Sequence, residues 1–276
     1  MPIKPMVWPQ GKACAAMISI NLDAEYFARI YYPDLDVQQG DMRRLGESGI
    51  RFGLPRILDT LDTYGVKATF FIPGAVAQGY PDAVCEIARR GHEIGCRGMA
   101  HEVLANLSVH AQRQCLSEAR DCLTALIGKA PLGFRMPEGE ITEETLIVAR
   151  ALGFTYSSSL SDDDTPYVRQ PAGLMELPVH WELFDLPYFA FTFDPPIPPG
   201  QARSAAMDDV LGNWLLELQG ARRWGTLMCL QLDPQATGEQ GRIFMLERLL
   251  EEIARAGDIW LATGCEIAAH CAGQLK

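Results

Sequence analysis

The feature that most constrains the fold is a repeated alternation of short apolar strands with amphipathic helices. Segment 14–22, CAAMISINL, is a short apolar run that ends at Asp23 and predicts a buried strand. A helix over 54–64, a stop at Gly65 and a strand over 67–72 follow, and this plan recurs about seven times along the chain. The alternation predicts a parallel α/β sheet with crossover helices, closed into a barrel or nearly so.

Helix ends and one long irregular stretch complete this plan. Ser108 and Thr142 precede helical runs as predicted N-caps, and Gly128 is a predicted helix stop. The stretch 184–206 is rich in proline and aromatic residues and has no helical period. We predict that it forms a long loop over the carboxyl ends of the strands.

Length and charge exclude several classes of protein. The 276 residues suit one α/β barrel, so we predict a single domain over 1–276. A formal net charge of −11 disfavours nucleic acid as a partner, and no apolar run is long enough for a membrane span. The eight cysteines are scattered without a CxxC pair, and the first residues lack an apolar signal region. We therefore expect a cytoplasmic protein.

Polar residues with catalytic chemistry gather at the predicted ends of strands. These residues, at strand ends or just beyond them, are Asp23, Arg97, His101, Arg135 and Asp233. In parallel α/β folds the carboxyl ends of the strands carry the active site, so we expect these side chains to meet there.

The segments around these residues resemble one known family. They read ISINLDAE, KATFFIPG, GHEIGCRGMAHE, PLGFRMPEGEITEETL, LMELPVHWELFDLPYF and LDPQATGEQGR. They are similar to the polysaccharide deacetylases with NodB homology, and above all to a branch with a peptidoglycan deacetylase-like protein, cyclic imidases and a metal-independent allantoinase. The resemblance implies a distorted (β/α) barrel with seven or eight strands, a hydrolase, a link to carbohydrate metabolism and a homo-oligomer.

The resemblance also implies a catalytic set. In the family, one Asp and two His spaced HxxxH hold a divalent metal, usually zinc. A second Asp acts as base and a His followed by Pro as acid. By this resemblance Asp23 matches the metal-binding Asp and His101 the second His. Arg135 matches the arginine that orients the base.

Three positions depart from the family pattern. Arg97 stands at the first metal-binding His, Asn21 at the base, and Asp233 before Pro234 at the acid. A guanidinium has no lone pair for a metal and is always charged. At about 4 Å and an effective dielectric of about 20, it would attract the Asp23 carboxylate by roughly 4 kcal/mol before desolvation. We therefore favour a site without a metal, in which Arg97 replaces it; the alternative is zinc or another divalent metal on Asp23 and His101, with Asp233 as a third ligand.

The remaining roles stay open between catalysis and structure. His101 is a general acid or base, or a neutral core histidine. Asp233 is a base, a proton donor or a turn residue before proline. We predict that Arg97 and three further residues, Glu25, Trp181 and Tyr188, bind the substrate; their alternatives are turn or core positions.

Together these observations predict a hydrolase of a carbon–nitrogen bond, in an amide or imide, in a small cytosolic molecule. The first alternative is a metal-dependent deacetylase with altered ligands. The second is a diverged family member with a binding role or another reaction, because fold alone does not fix function.

Overall fold

The sheet strands follow the predicted order along the chain. This computed structural model describes residues 6–30, 40–189, 192–193, 196–197 and 204–275. Within them the strands are β1 (Cys14–Asn21), β2 (Thr69–Ile72), β3 (Glu93–Cys96), β4 (Gly133–Phe134), β5 (Tyr156–Ser157), β6 (Tyr167–Arg169), β7 (Leu174–Glu176), β8 (Thr192–Phe193), β9 (Pro196–Ile197), β10 (Leu227–Leu232) and β11 (Ile259–Leu261).

Helices connect the strands and cover the outside of the sheet. They are α1 (Gly40–Ser48), α2 (Leu54–Thr63), α3 (Gly74–Gly79), α4 (Pro81–Arg89), α5 (Val109–Ile127), α6 (Glu143–Ala151), α7 (Leu186–Phe189), α8 (Met207–Trp224), α9 (Ile243–Ala256) and α10 (Gly264–Ala272). The predicted caps are confirmed: the Ser108 and Thr142 side chains accept backbone N–H groups, and Gly128 ends α5 with a φ of 73°. Among the described helices none combines the length and the hydrophobicity needed to cross a bilayer.

The main sheet is parallel with one exception. Its strand order is β10-β1-β2-β3-β4-β5-β7-β6, and β11 pairs with the beginning of β1 over Cys14–Ala16. Strand β6 pairs antiparallel with β7. The eight parallel strands of the described residues confirm the predicted distorted (β/α) barrel, and the antiparallel β6 is an addition to it.

The barrel closes by isolated contacts and not by a continuous ladder. Strand β10 pairs with β1 on one side. On its other side, Gln231 forms a single bridge with Phe184, and the Leu227 N–H donates to the Asp164 carbonyl at 3.1 Å. The backbone contacts that join β10 to Asp164 and Phe184 are therefore much weaker than the ladders within the sheet.

The alternation of side chains along β1 decides which residues reach the site. Cys14, Ala16, Ile18 and Ile20 pack in the larger core cluster with the helices, whereas Ala15 and Met17 pack in a second cluster with Phe71 and Tyr156. Because a strand has a period of two, Ser19 and Asn21 continue the row of Ala15 and Met17. The apolar row thus becomes polar toward the carboxyl end of β1.

The structure corrects the prediction of secondary structure at several places along the chain. Stretch 184–206 contains the short helix α7 and a two-stranded hairpin of β8 and β9. Residues 190–191, 194–195 and 198–203 of that stretch lie outside the described residues. The helices α1, α3, α8 and α10 were not predicted. In α8 the buried side chains of Val210, Trp214, Leu218 and Ala221 recur at helical spacing.

Candidate active site

The centre of the site is a buried carboxylate held by an arginine and a histidine. Asp23 is 1% exposed. Arg97 donates from Nε to both of its oxygens, at 2.8 Å to Oδ1 and 3.0 Å to Oδ2, and His101 Nε2 lies 3.2 Å from Oδ2. Burial alone would raise the pKa of Asp23, but the charges and hydrogen bonds of Arg97 and His101 lower it to about 2. Asp23 is therefore ionised.

When His101 is neutral, its hydrogen bond to Asp23 fixes which ring nitrogen carries the proton. An ionised carboxylate only accepts hydrogen bonds, so the proton of the neutral imidazole lies on Nε2. The other ring nitrogen, Nδ1, is buried and has no hydrogen-bond partner among the described residues. Neutral His101 thus keeps a lone pair on Nδ1 that can accept a proton, oriented by Asp23 as in other Asp–His pairs.

The loop between Arg97 and His101 is fixed by its neighbours. The Glu102 carboxylate accepts the N–H groups of Met99 and Ala100 at 3.0 and 2.7 Å, and Arg29 donates to the Ala100 carbonyl at 2.6 Å. His101 adopts a φ of 64°, in the left-handed region that costs a residue with a side chain about 1 kcal/mol. These contacts hold the imidazole against Asp23. Glu102, next to His101 in the sequence, was not among the predicted residues.

The two terminal nitrogens of Arg97 are held in place, as its Nε is held by Asp23. Its Nη1 and Nη2 atoms donate to the carbonyls of Met136 and Pro137, at 2.9 and 3.2 Å. These carbonyls directly follow Arg135 in the chain, so the segment after β4 clamps the guanidinium. The predicted pairing of Arg97 with Asp23 agrees with this geometry.

Arg135 is buried beside this group and makes only neutral contacts. Its side chain donates to the Ser158 carbonyl and hydroxyl at 2.8 Å each, to Ser19 Oγ at 2.8 Å, to Asn21 Oδ1 at 3.1 Å and to Cys229 Sγ at 3.4 Å. The guanidinium carbon also lies 4.1 Å from the centre of the Phe71 ring. All five N–H groups of Arg135 donate to these hydrogen-bond acceptors. Arg135 therefore orients its neighbours and has no N–H group left to donate.

Asp233 is a buried carboxyl group whose environment favours the protonated form. It follows β10 and is fully buried. Burial raises its pKa well above the ordinary value, and the charges of Asp185 and Asp23 raise it further. Its Oδ1 accepts from Gln235 at 3.2 Å, and its Oδ2 has no partner among the described residues. Of the roles left open by the sequence, proton donor fits this state and base does not.

Asp185 supports Asp233 and was missed from the sequence. Its carboxylate accepts the backbone N–H of Asp233 at 3.0 Å, and the N–H and hydroxyl of Thr237 at 3.1 and 2.6 Å. Burial raises the pKa of Asp185 to about 7. The only signal in the sequence is an Asp inside the apolar stretch ELFDLPYF.

A small cleft opens beside the two arginines. Its volume is about 190 Å³, and its lining includes Arg97, Arg135, Ser158, Ser159, His180 and Trp181. Trp181 is 78% exposed and lies at the edge of the cleft. Clefts that bind drug-sized ligands measure about 300–1,000 Å³, so this one suits a smaller molecule.

Two residues predicted to bind substrate are absent from the lining of this cleft. The Glu25 carboxylate accepts a hydrogen bond from the Tyr80 hydroxyl at 2.8 Å. The Tyr188 ring packs on Phe189, and its hydroxyl contacts the Glu182 carbonyl at 3.5 Å. The structure thus gives both residues structural contacts, whereas it brings together Asp23, Arg97, His101, Arg135 and Asp233.

The residues at this centre do not suit a catalytic metal. Both oxygens of Asp23 accept from Arg97, which offers a metal no lone pair. Catalytic zinc takes three protein ligands, and within the described ranges no group of three His, Cys, Asp or Glu side chains is placed to hold an ion.

Comparison with known proteins relates the chain to one class of enzymes. A sequence model of the polysaccharide deacetylase domain matches residues 47–157. A crystallised Mycobacterium smegmatis protein assigned to the polysaccharide deacetylases superposes with a TM-score of 0.92 and 32% identity, over 100% of this chain and 96% of that chain. The crystal structure of Puue allantoinase superposes with a TM-score of 0.83 and 22% identity, over 98% of this chain and 95% of that one.

The curated relatives lead to the same class. The peptidoglycan deacetylase-like protein FGM2 of Gibberella zeae is 29% identical over 213 residues, which are 76% of this chain. The chain spans only 58% of the length of that relative. The chain belongs to the polysaccharide deacetylase family, a family of hydrolases that cleave amide C–N bonds.

Proposed function

We propose that the protein hydrolyses an amide or imide bond of a small molecule without a metal. The observation that carries this proposal is the two-oxygen contact of Arg97 with Asp23. Amide hydrolysis needs a positive charge near the developing oxyanion, a deprotonated water and a proton for the leaving nitrogen. The buried centre offers one group for each need.

The positive charge is that of Arg97. It lines the cleft and is held in place by Asp23 and by two backbone carbonyls. A fixed charge in a site with little water stabilises an oxyanion without having to reorganise first. Arg97 therefore polarises the carbonyl group of the substrate.

The two proton transfers fall to His101 and Asp233. The Nδ1 lone pair of His101 accepts a proton from water, while Asp23 holds the imidazole by Nε2. The protonated carboxyl of Asp233 gives a proton to the leaving nitrogen. Water is thereby added across the C–N bond, with hydroxide on the carbonyl carbon and a proton on nitrogen.

The size of the cleft supports a small substrate. A volume of about 190 Å³ beside the arginines favours a substrate smaller than a chain of sugars. The allantoinase with the same fold acts on a molecule other than a polysaccharide, as its name states. We propose a cyclic imide, a ureide or a small N-acyl compound in the cytoplasm.

A screen of such compounds with and without chelator tests this function. We expect turnover of at least one imide, ureide or N-acyl compound, at the same rate in EDTA as in buffer. Loss of turnover in EDTA, with recovery on adding zinc, would contradict the metal-free chemistry. It would favour the second candidate, a metal-dependent deacetylase; the name of the FGM2 relative, a peptidoglycan deacetylase-like protein, supports the deacetylase part of that candidate.

The variant His101→Asn tests the proton transfer. Asparagine tolerates the left-handed backbone at this position and cannot accept a proton, and its shorter side chain loses the Nε2 contact with Asp23. We expect kcat to fall by about 10²–10⁴ in a protein that still unfolds cooperatively. Unchanged kcat would show that His101 is a structural residue and would support a protein that binds without this chemistry.

A further inference from the structure

The charge of Arg135 has no carboxylate partner in the part of the chain that the structure describes. Its hydrogen-bond acceptors are hydroxyl, carbonyl, amide and thiol groups, all of them neutral. The acceptor on β1 is the amide oxygen of Asn21, at 3.1 Å. An aspartate at this position would have given Arg135 a counter-charge at the same distance.

The neighbouring ionisable groups do not supply the missing negative charge. The charge of Asp23 is matched by Arg97 at 2.8 Å. Asp233 is not among the hydrogen-bond acceptors of Arg135, and burial raises its pKa well above the ordinary value, which favours its neutral form. Glu176 lies in the field of Arg135, but its Oε1 is held by the N–H groups of Ser159 and Leu160, and burial raises its pKa to about 7, so it is largely neutral below pH 6.5.

The cleft brings the charge of Arg135 to a place where a ligand can bind. Arg97 and Arg135 both line it, and Glu138 is the single carboxylate among its described lining residues. Burial lowers the pKa of Arg135, but an arginine stays charged at neutral pH. Because the charge of Arg97 is paired with Asp23, Arg135 is the arginine of the cleft that has no carboxylate partner in the described residues, in a chain whose net charge is −11.

Arg97 also keeps hydrogen-bond donors for a ligand. It uses Nε–H on Asp23 and one N–H on each carbonyl of Met136 and Pro137. Two of its five N–H groups are left without an acceptor among the described residues. They belong to a side chain that is only 4% exposed and lines the cleft.

We infer that the substrate carries a carboxylate. It binds beside Arg97 and close to Arg135, whose charge has no carboxylate partner among the described residues. This inference rests on the proposed function and names its substrate class: amides, imides or ureides with a carboxylate group. One of the two remaining N–H groups of Arg97 binds the carboxylate and the other binds the carbonyl that is cleaved, and Arg135 supplies charge through its fixed position. Asn21 is the specificity-determining residue, because its neutral amide leaves that charge available.

Matched probes that differ only in charge test the inference. They are N-acetylglycine with N-acetylglycinamide, and hydantoin-5-acetic acid with hydantoin-5-acetamide, and their binding is measured by calorimetry at pH 6.0, where Glu176 is largely neutral. For wild type we expect each carboxylate to bind at least tenfold more tightly than its carboxamide. Raising NaCl from 50 to 500 mM should weaken only the carboxylates.

The variant Asn21→Asp gives Arg135 a partner and should reduce that preference to twofold or less. The control is Gln219→Glu, which adds the same charge on an exposed face of α8 and should keep the preference. Equal binding of the paired probes by wild type, binding of neither, or an unchanged preference in a folded Asn21→Asp would overturn the inference.

Binding and turnover separate this inference from the proposed function. A protein that binds the carboxylates but hydrolyses nothing in the screen would refute the hydrolase and support the anion site. A protein that turns over neutral imides and does not distinguish the probes would refute the anion site and support the hydrolase.

Discussion

Removal of the Arg97 charge gives the sharpest test of how this centre is held together. In the variant Arg97→Met the carboxylate of Asp23 stays buried without its main partner. Removing one member of a buried pair costs about 3–5 kcal/mol of unfolding free energy. We expect a loss in this range at pH 7, measured by urea unfolding.

The structure also gives the size of the coupling between the two charges. The pKa of Asp23 falls from 3.8 to about 2, which is about 1.8 units. At about 1.36 kcal/mol per pKa unit this is ~2.5 kcal/mol after the opposing cost of burial, and Arg97 and His101 share the favourable part. The double variant Arg97→Met/Asp23→Asn should therefore recover about 2 kcal/mol relative to the sum of the two single variants.

An exposed arginine–aspartate pair is the control for this cycle. Arg222 donates two hydrogen bonds to the Asp258 carboxylate, at 2.9 and 2.8 Å, on the surface. The equivalent cycle with Arg222→Met and Asp258→Asn should show a much smaller coupling, because water screens exposed charges. A coupling as small at Arg97–Asp23 as at this surface pair would refute the view that Arg97 is a fixed internal counter-charge.

Two further predictions follow from the same centre and from its neighbour Glu176. Arg97→His places an imidazole four residues before His101, which with Asp23 makes three ligands; about one zinc per chain is expected by elemental analysis, and none in the matched Arg97→Met variant. Zinc-free Arg97→His protein would refute the view that the guanidinium occupies a metal position. Burial raises the pKa of Glu176 from 4.5 to about 7, so its folded state binds protons more tightly than its unfolded state. The contribution of Glu176 to the free energy of unfolding is therefore complete below pH 4.5. It is lost as the pH rises through about 7, by up to about 3 kcal/mol. Glu176→Gln should flatten this decline in urea unfolding between pH 5 and 8, and an unchanged slope would contradict it.

The fold could be predicted where local signals agree, and less well where they do not. Strand β1 is a continuous apolar run, and the caps at Ser108, Thr142 and Gly128 have standard chemistry. Helix α8 has a helical spacing of buried residues, but Gly212 and Gly220 lower its helix propensity and a proline-rich stretch precedes it. Very short strands such as β4 and β5 depend on their neighbours in the sheet and carry little signal of their own.

The site could be predicted in part for a similar reason. The pairing of Arg97 with Asp23 follows from an always-charged side chain that replaces a metal ligand at the end of a strand. The roles of Asp185 and Glu102 depend on which backbone N–H groups the fold leaves unpaired. A single sequence does not show which N–H groups these are. Cytoplasmic location and oligomer formation stay predictions.

The weak join of the barrel bears on how a substrate enters. In the described residues, Gln231 and Phe184 form an isolated bridge between β10 and the segment after β7, and both also line the cleft. The backbone of that segment reaches β10 through the Asp185 N–H, which donates to the Gln231 carbonyl at 3.1 Å, whereas Asp23 and Arg97 follow strands with continuous ladders. The entrance should therefore open without displacing the catalytic centre, and amide hydrogen exchange at Asp185 should be faster than within β1.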